Sequence, residues 1–383
     1  MKRNNGIENT LDNIEIEYSN DLLEENNEND DDIIKEKKPS LFRKLFFTLI
    51  LVLILIVIYS RYIGPTGLII KEYPIENSNI TNSLNGFKIV HFSDFHYGKT
   101  TDINSLKRLT NEINNMKPDI VIFTGDLIDK TTKINDKEKN DIIEQLTKIS
   151  SNYGKYYISG DDDLKLNNYT KIMDSSGFIN LNDNFDVIYI DADNSILLTG
   201  TSLSNKTDFL DKIINENKSN YKINIMHYPD DFNNIKKYNY DLVLAGHSHN
   251  GQVNLPIYGP IIKFEHAKKY YKPYYKVDNT DLYISSGIGT TDFDFRFLNK
   301  PSFNFYRLTK KIGNSYFFNS SIYLSNVFAF GPNIIFNWLS ISTIPFAPIF
   351  WIASLLTLDI SLRVTLNLDI FTSIEIILSL PPK

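Results

Sequence analysis

Four of the six histidines in this 383-residue chain fall in acidic or glycine-framed motifs. The motifs are Asp94-Phe95-His96, Gly125-Asp126, Gly160-Asp161-Asp162-Asp163, His227 and Gly246-His247-Ser248-His249. Each follows a short run of Val, Ile, Leu, Tyr or Phe, the composition of a strand. Side chains at the carboxyl ends of neighbouring parallel strands converge, because open α/β sheets place their sites at that edge. Aspartate together with neutral imidazole suits divalent metals such as Mn, Fe or Zn. Singly, each motif is ordinary, since such residues also cap helices and build turns. Asp94 and His96 lie two apart at a strand end, and the period of two puts both on one face. His247 and His249 repeat that spacing. The order of all five pieces, each at a strand terminus, carries the argument. His91 lies inside the first apolar run and reads as a core histidine. His266, in Phe264-Glu265-His266-Ala267-Lys268, reads as a surface residue or at most a substrate contact.

The elements that must position these residues alternate. Strands are predicted at Phe87–Phe92, Asp119–Phe123, Lys155–Ser159, Ile223–Met226, Asp241–Ala245, Leu282–Ser285 and Phe303–Leu308. Phe185–Ile190 and Ile196–Leu198 read as a strand pair. Ile103, Leu106, Leu109, Ile113 and Met116 recur at helical spacing, which predicts a helix over Ile103–Met116. Shorter helices are expected at Ile142–Ile149 and Leu210–Ile214. Alternating α and β implies sheet covered by helices.

The rest of the chain is attachment. Residues 1–40 hold twelve acidic and five basic residues, a local charge of −7 against −6 for the whole. Their polar, Asn-rich composition cannot offset its ordering entropy, so a disordered tail is expected. The remainder is nearly neutral, which gives no nucleic-acid surface. Residues 41–62 contain the uncharged run Leu45–Tyr59 and approach the ~20 residues that span a bilayer. Lys35, Lys37, Lys38, Arg43 and Lys44 precede the middle of this stretch, and only Arg61 follows closely. The positive-inside rule then puts the N-terminus in the cytoplasm and the rest outside, a single-pass protein of the cell membrane. A cleaved signal peptide is disfavoured by the long leader and by the lack of alanine before Ala192. The folded domain is expected over 63–311. From Ile312 through Leu358 no charge occurs, yet Pro332, Pro345 and Pro348 interrupt the run. Residues 312–383 read either as a second, proline-kinked membrane segment or as an interfacial or poorly folded extension. The chain has no cysteine, which removes disulfides and thiolate sites.

From about Phe87 to Lys310 the motif order resembles the calcineurin-like metallophosphoesterases. The matching residues are Ser93-Asp94-Phe95-His96, Gly125-Asp126, Gly160-Asp161-Asp162-Asp163, His227 and Gly246-His247-Ser248-His249-Asn250-Gly251-Gln252. Leu282-Tyr283-Ile284-Ser285-Ser286-Gly287-Ile288-Gly289 is similar to the strand and glycine turn of a membrane-anchored bacterial subgroup with one N-terminal transmembrane helix. The resemblance implies a four-layer αββα sandwich and two divalent metal ions bridged by Asp126. It implies Asp94, His96 and His249 on one ion, and Asp161, His227 and His247 on the other. The chemistry implied is hydrolysis of a phosphate ester, in which paired cations activate water and neutralise phosphoryl charge.

The departure from the family lies at Gly160-Asp161-Asp162-Asp163, where the family usually has Gly-Asn-His-Asp. The amide ligand becomes a carboxylate, and the catalytic histidine becomes Asp162. An ordinary carboxyl is ionised at pH 7, and serves as an acid only if burial or neighbouring carboxylates raise its pKa. A missing acid matters least where the leaving group is good. The expected substrate is therefore a phosphodiester or pyrophosphate, and the anchor directs attention to lipid-linked or envelope phosphates. The rival expectation is a degenerate membrane-bound protein that binds metal or phosphate without turnover.

Overall fold

The structure is a computed structural model that describes residues 40–311. The expected acidic tail and the apolar extension over 312–383 lie outside the described residues, apart from Ser40. Ser40 caps the first helix, α1 (Leu41–Ile58), by accepting from the Arg43 backbone N–H. A single π-helical turn, Tyr59–Ile63, continues it. The 23-residue run Leu41–Ile63 is long and apolar enough to cross a membrane. At 1.5 Å per residue it measures roughly 35 Å, against about 30 Å of hydrocarbon.

The following elements are β1 (Ile69–Asn77), β2 (Lys88–Phe92), α2 (Ile103–Met116), β3 (Ile120–Phe123), α3 (Asp136–Thr147) and β4 (Gly154–Tyr157). Next come α4 (Tyr169–Ser175), β5 (Ile179–Asn180), β6 (Asn184–Tyr189), β7 (Ser195–Thr201), α5 (Asp208–Glu216) and β8 (Tyr221–Met226). Last are α6 (Phe232–Ile235), β9 (Leu242–Ala245), β10 (Asn254–Leu255), β11 (Gly259–Pro260), β12 (Tyr274–Val277), β13 (Thr280–Ile284) and β14 (Ser302–Lys310).

Two six-stranded sheets form, in the orders β1-β14-β2-β3-β4-β5 and β12-β13-β9-β8-β7-β6. β2 to β5 run parallel in the first, and β13, β9, β8 and β7 run parallel in the second. Side chains along each central strand point alternately to two faces, both of them buried. Ile120 and Ile122 of β3 join Ile223 and Ile225 of β8 in the core between the sheets. Val121 and Phe123 point the other way and pack with Leu106, Leu109, Ile142, Leu146 and Ile172 of α2, α3 and α4. Met226 and Val243 pack on the outer face of the second sheet with Leu210 of α5 and Phe232 of α6. Helices, sheet, sheet and helices therefore stack as the four-layer αββα sandwich. Strands covered on both faces read as unbroken apolar runs.

The helix expected at Ile103–Met116 has those bounds, fixed by an Asp102–Ser105 capping box and by left-handed Lys117 before Pro118. α3 begins six residues before the expected Ile142. Asn135 and Glu138 box its start, and its first turn carries no apolar residue to reveal a period. β1 was not legible at all. Lys71, Glu72 and Pro74 interrupt its pattern, which an edge strand bonded only to β14 tolerates. His91 is the core histidine expected. Its Nε2 lies 2.9 Å from Thr124 Oγ1 and its Nδ1 3.4 Å from the Tyr306 hydroxyl. Burial pushes the imidazole pKa down to about 3, so it is neutral.

Candidate metal centre

The parallel strands of both sheets end at one place. Asp94 and His96 follow β2, Asp126 follows β3, Asp161 follows β4, His227 follows β8, and His247 and His249 follow β9. The expected period-two geometry does not hold. Asp94, His96, Asp126, His247 and His249 all have left-handed backbones, with φ of 50°, 46°, 63°, 63° and 46°. They sit on tight loops beyond the strands, where each turn re-aims one side chain. Such conformations cost about 1–3 kcal/mol each and persist where surrounding structure enforces them. His247 and His249, which the family resemblance assigns to different ions, lie in separate clusters.

One cluster is Asp94, His96 and His249. The other is Asp126, Asp161, His227 and His247. Within each, the candidate ligand atoms lie within 4.8 Å of one another. His96 Nε2 and His249 Nε2 are 3.1 Å apart, and His249 Nε2 is 3.5 Å from Asp94 Oδ1. His227 Nε2 and His247 Nδ1 are 3.2 Å apart, and they lie 3.3 and 3.4 Å from Asp161 Oδ1. Asp126 Oδ2 reaches both clusters, at 3.7 Å from His96 Nε2 and 3.4 Å from His227 Nε2. Donors held at 2.0–2.1 Å around one tetrahedral ion are separated by about 3.3 Å, so these spacings are those of coordination edges. Asp161 Oδ1 is buried without a hydrogen bond, as a donor aimed at a cation would be. The residues present fit a pair of divalent ions.

Backbone groups hold the cluster in place. Gly125 and Gly160 approach so closely that a Cβ on either would collide with the other loop. Asp163 accepts from the backbone N–H of Asp126, Leu127 and Gly160 at 2.7, 2.9 and 2.9 Å, which locks the β3 and β4 loops together. The Asp162 backbone N–H donates to Asp126 Oδ1 at 3.0 Å. His227 Nδ1 is 2.6 Å from the Thr124 carbonyl, a bond that assigns its proton to Nδ1 and leaves Nε2 facing Asp126. The fully buried Arg296 guanidinium lies behind His249, bonded to the Ser286, Gly289 and Asn299 carbonyls. Asp163, Thr124 and Arg296 carried no signal of such roles beyond proximity to motifs.

The electrostatics pull in both directions. Burial pushes the Asp94 carboxyl up. Burial also works against the Asp161 carboxylate, but the His227 and His247 imidazoles beside it win and hold its pKa far below the ordinary range. His227 is opposed by burial and yet raised well above a usual histidine by Asp126 and Asp161. Carboxylates that hold imidazole protons so firmly form the anionic set from which a divalent cation displaces protons.

Asp162 is 1% exposed. Its Oδ2 is 3.4 Å from His96 Nδ1 and accepts from the Lys130 backbone N–H at 3.1 Å, while Oδ1 accepts from Lys165 Nζ at 3.1 Å. Burial alone would raise its pKa, but His96 and Lys165 outweigh it and the net shift is down. The neighbouring carboxylates therefore do not make it an acid. Asp129 stands on the same side of the ring, with Oδ2 3.7 Å from His96 Nδ1. His266 is exposed, as expected. It stacks on Tyr228 at 4.2 Å between centroids, at the rim beside His247.

The chain is similar to known metallophosphoesterases. The family model for calcineurin-like phosphoesterases matches residues 87–251. The metallophosphoesterase YkuE of Bacillus subtilis is 32% identical over 257 residues, which cover 65% of this chain and 88% of that one. A Campylobacter jejuni metallophosphoesterase is 29% identical over 227 residues, 57% of this chain and 58% of that one. A transmembrane protein with a metallophosphoesterase domain from Danio rerio is 30% identical over 99 residues, covering 26% of this chain and 21% of its own. The chain belongs to the calcineurin-like phosphoesterase family. It is a metal-dependent phosphoric ester hydrolase.

Proposed function

We propose that the chain is a membrane-anchored, two-metal phosphoesterase that cleaves a phosphodiester or pyrophosphate, with a lipid-linked or envelope phosphate as substrate. The observation that carries the reading is Asp126 Oδ2, placed within 3.4 and 3.7 Å of imidazole nitrogens from both clusters. Asp94, His96 and His249 would hold one ion, Asp161, His227 and His247 the other, and Asp126 both. The mixed carboxylate and imidazole donors suit Mn, Fe or Zn. When bound, such a pair activates water and neutralises charge on the phosphoryl oxygens. The chain's own part is to orient. Thr124 fixes His227, the Glu265 carbonyl accepts from His247 Nε2 at 2.7 Å, and Asp162 faces His96. None of these groups is free to protonate a leaving oxygen, and that favours substrates whose leaving group is already a weak base.

The full-length chain in detergent, loaded with Mn, Fe or Zn, is expected to hydrolyse an activated aryl phosphodiester and to leave an alkyl monoester intact. A chelator should stop the reaction. Bound ions with no turnover of any activated diester or pyrophosphate would overturn the reading.

The anchor and its orientation belong to the same proposal. Arg43 and Lys44 lie in the first turn of α1, and the catalytic domain lies on the other side of the span, outside the cytoplasm. The chain has no cysteine, so Lys137→Cys on exposed α3 provides one thiol. A membrane-impermeant thiol reagent should label it in intact cells. Labelling only after permeabilisation would reverse the orientation.

A further inference from the structure

The end of α1 is fixed to the domain by one loop. Arg61 pairs with Asp294 at 3.2 Å, the Arg296 backbone N–H donates to the Ser60 carbonyl at 2.9 Å, and the Tyr59 ring meets Phe297 edge-on at 6.0 Å. That loop is bonded in turn to the β10–β11 hairpin. Asn254 N–H donates to the Phe297 carbonyl at 2.9 Å, Phe297 N–H donates to the Gln252 carbonyl at 3.1 Å, and Val253 bridges Phe297. The hairpin tip, Pro256-Ile257-Tyr258-Gly259, is therefore only a few residues from the last turn of the apolar helix.

The tip is unlike an ordinary surface turn. Ile257 is 99% exposed and Tyr258 87% exposed. Leu255, Ile261, Phe293 and Leu298, on the same two loops, are exposed as well. No charged residue occurs from Asn250 through Ile262, and the next residue is Lys263. Ile257 also has a left-handed backbone, φ 71°, which a β-branched residue rarely adopts. An asparagine or glycine would suit that turn and water better. A bare isoleucine there is favourable only in an apolar surrounding, and contiguous exposed apolar patches mark interaction sites.

We propose that these two loops form a second membrane contact, with Ile257 and Tyr258 inserted among lipid beside α1. The occupant is the bilayer because the patch adjoins the helix end, where Tyr59 and Tyr62 lie at the level favoured by interfacial aromatics. Lys263 follows at the depth of the phosphate headgroups, where lysine is favoured. His249 ends only five residues before Asn254, and Phe264 packs against its ring at 5.8 Å. The same strip of chain thus joins the metal centre to the lipid surface. A phosphate carried on a lipid would reach the site along this strip without leaving the membrane.

The inference rests on α1 spanning the bilayer, and the test separates the two. Full-length Ile257→Cys, Leu53→Cys and Tyr189→Cys each carry one thiol for an environment-sensitive fluorophore. They are reconstituted into phosphatidylcholine–phosphatidylglycerol vesicles with and without doxyl-labelled lipid. Leu53 lies mid-helix. Tyr189 is 68% exposed and pairs with Ser195 at the amino end of β7, the edge remote from the site. Quenching is expected at positions 53 and 257 and not at 189. Quenching at 53 with position 257 behaving like 189 would overturn the contact and leave the anchor standing. Shielding of 257 from aqueous iodide without quenching by doxyl lipid would assign the patch to a second copy of the chain and also overturn it. No quenching at either 53 or 257 would remove anchor and contact together. Ile257 is almost fully exposed, so its replacement disturbs no packing.

Discussion

Asp126→Asn is expected to abolish turnover and to reduce metal occupancy at both clusters. Its Oδ2 lies close to imidazoles of both, 3.7 Å from His96 and 3.4 Å from His227. The amide can keep the bond from the Asp162 backbone N–H through its oxygen. Its NH₂ group would then face the imidazole nitrogens, and an NH₂ group cannot serve as a ligand. Loss of an outer partner to a metal ligand typically costs 10–100-fold in affinity or activity, and loss of a shared ligand should exceed that. The metal-free chain should change little in stability, because the change loses a pairing with buried His227 but also removes one negative charge from a buried set that includes Asp94 and Asp163. What should vanish is the rise in melting temperature on adding Mn or Zn, since a ligand stabilises only by binding the native state. Metal content per chain, melting temperature and diester hydrolysis report the three effects. Two ions per chain with an unchanged rate would refute the bridging role.

Asp162→Asn is expected to weaken one cluster selectively. Carboxylates behind a ligating imidazole fix its ring and raise its basicity. Asp162 Oδ2 and Asp129 Oδ2 lie 3.4 and 3.7 Å from His96 Nδ1, whose opposite nitrogen points to the Asp94 and His249 side. The amide keeps the size and can still accept from Lys130, but it brings no charge. Affinity at the Asp94, His96 and His249 cluster should fall by roughly 10–100-fold while the other cluster holds. A competitive metal titration resolves the two. A steeper dependence of rate on leaving-group basicity, with both affinities unchanged, would instead make Asp162 a proton donor and overturn its role as a positioning residue.

Most strands were legible because they are covered on both faces and so stand out as apolar runs, as in Ile120–Phe123 and Leu242–Ala245, whereas the stacking of two sheets followed only from the family resemblance. The seven candidate ligands were legible because each follows such a run. The geometry that unites them was not. Spacing of two predicts a shared face only in extended backbone, and the left-handed residues at 94, 96, 247 and 249 are loops. Sequence separation hid the supporting groups as well. Arg296 meets His249 from 47 positions away, and Asp163 binds Leu127 from 36. Asp162 was visible as a departure from the family, but its direction was not. Only the fold shows that its carboxylate turns toward His96.

The union of Ser60, Arg61 and Gly64 with the loop carrying Asp294 and Arg296 leaves no slack between helix and catalyst. Gly64 packs so tightly on the Arg296 carbonyl that a side chain there would force the two apart. With α1 in a bilayer, such a joint acts as a rigid stand-off. A flexible tether would let the catalyst sweep a hemisphere and meet targets at many heights. A stand-off would fix the working height, so for the lipid-linked substrate proposed above headgroup length would become a selection rule. Phosphates at one distance from the hydrocarbon would meet the metal centre, and those on longer or shorter stalks would pass above or below it.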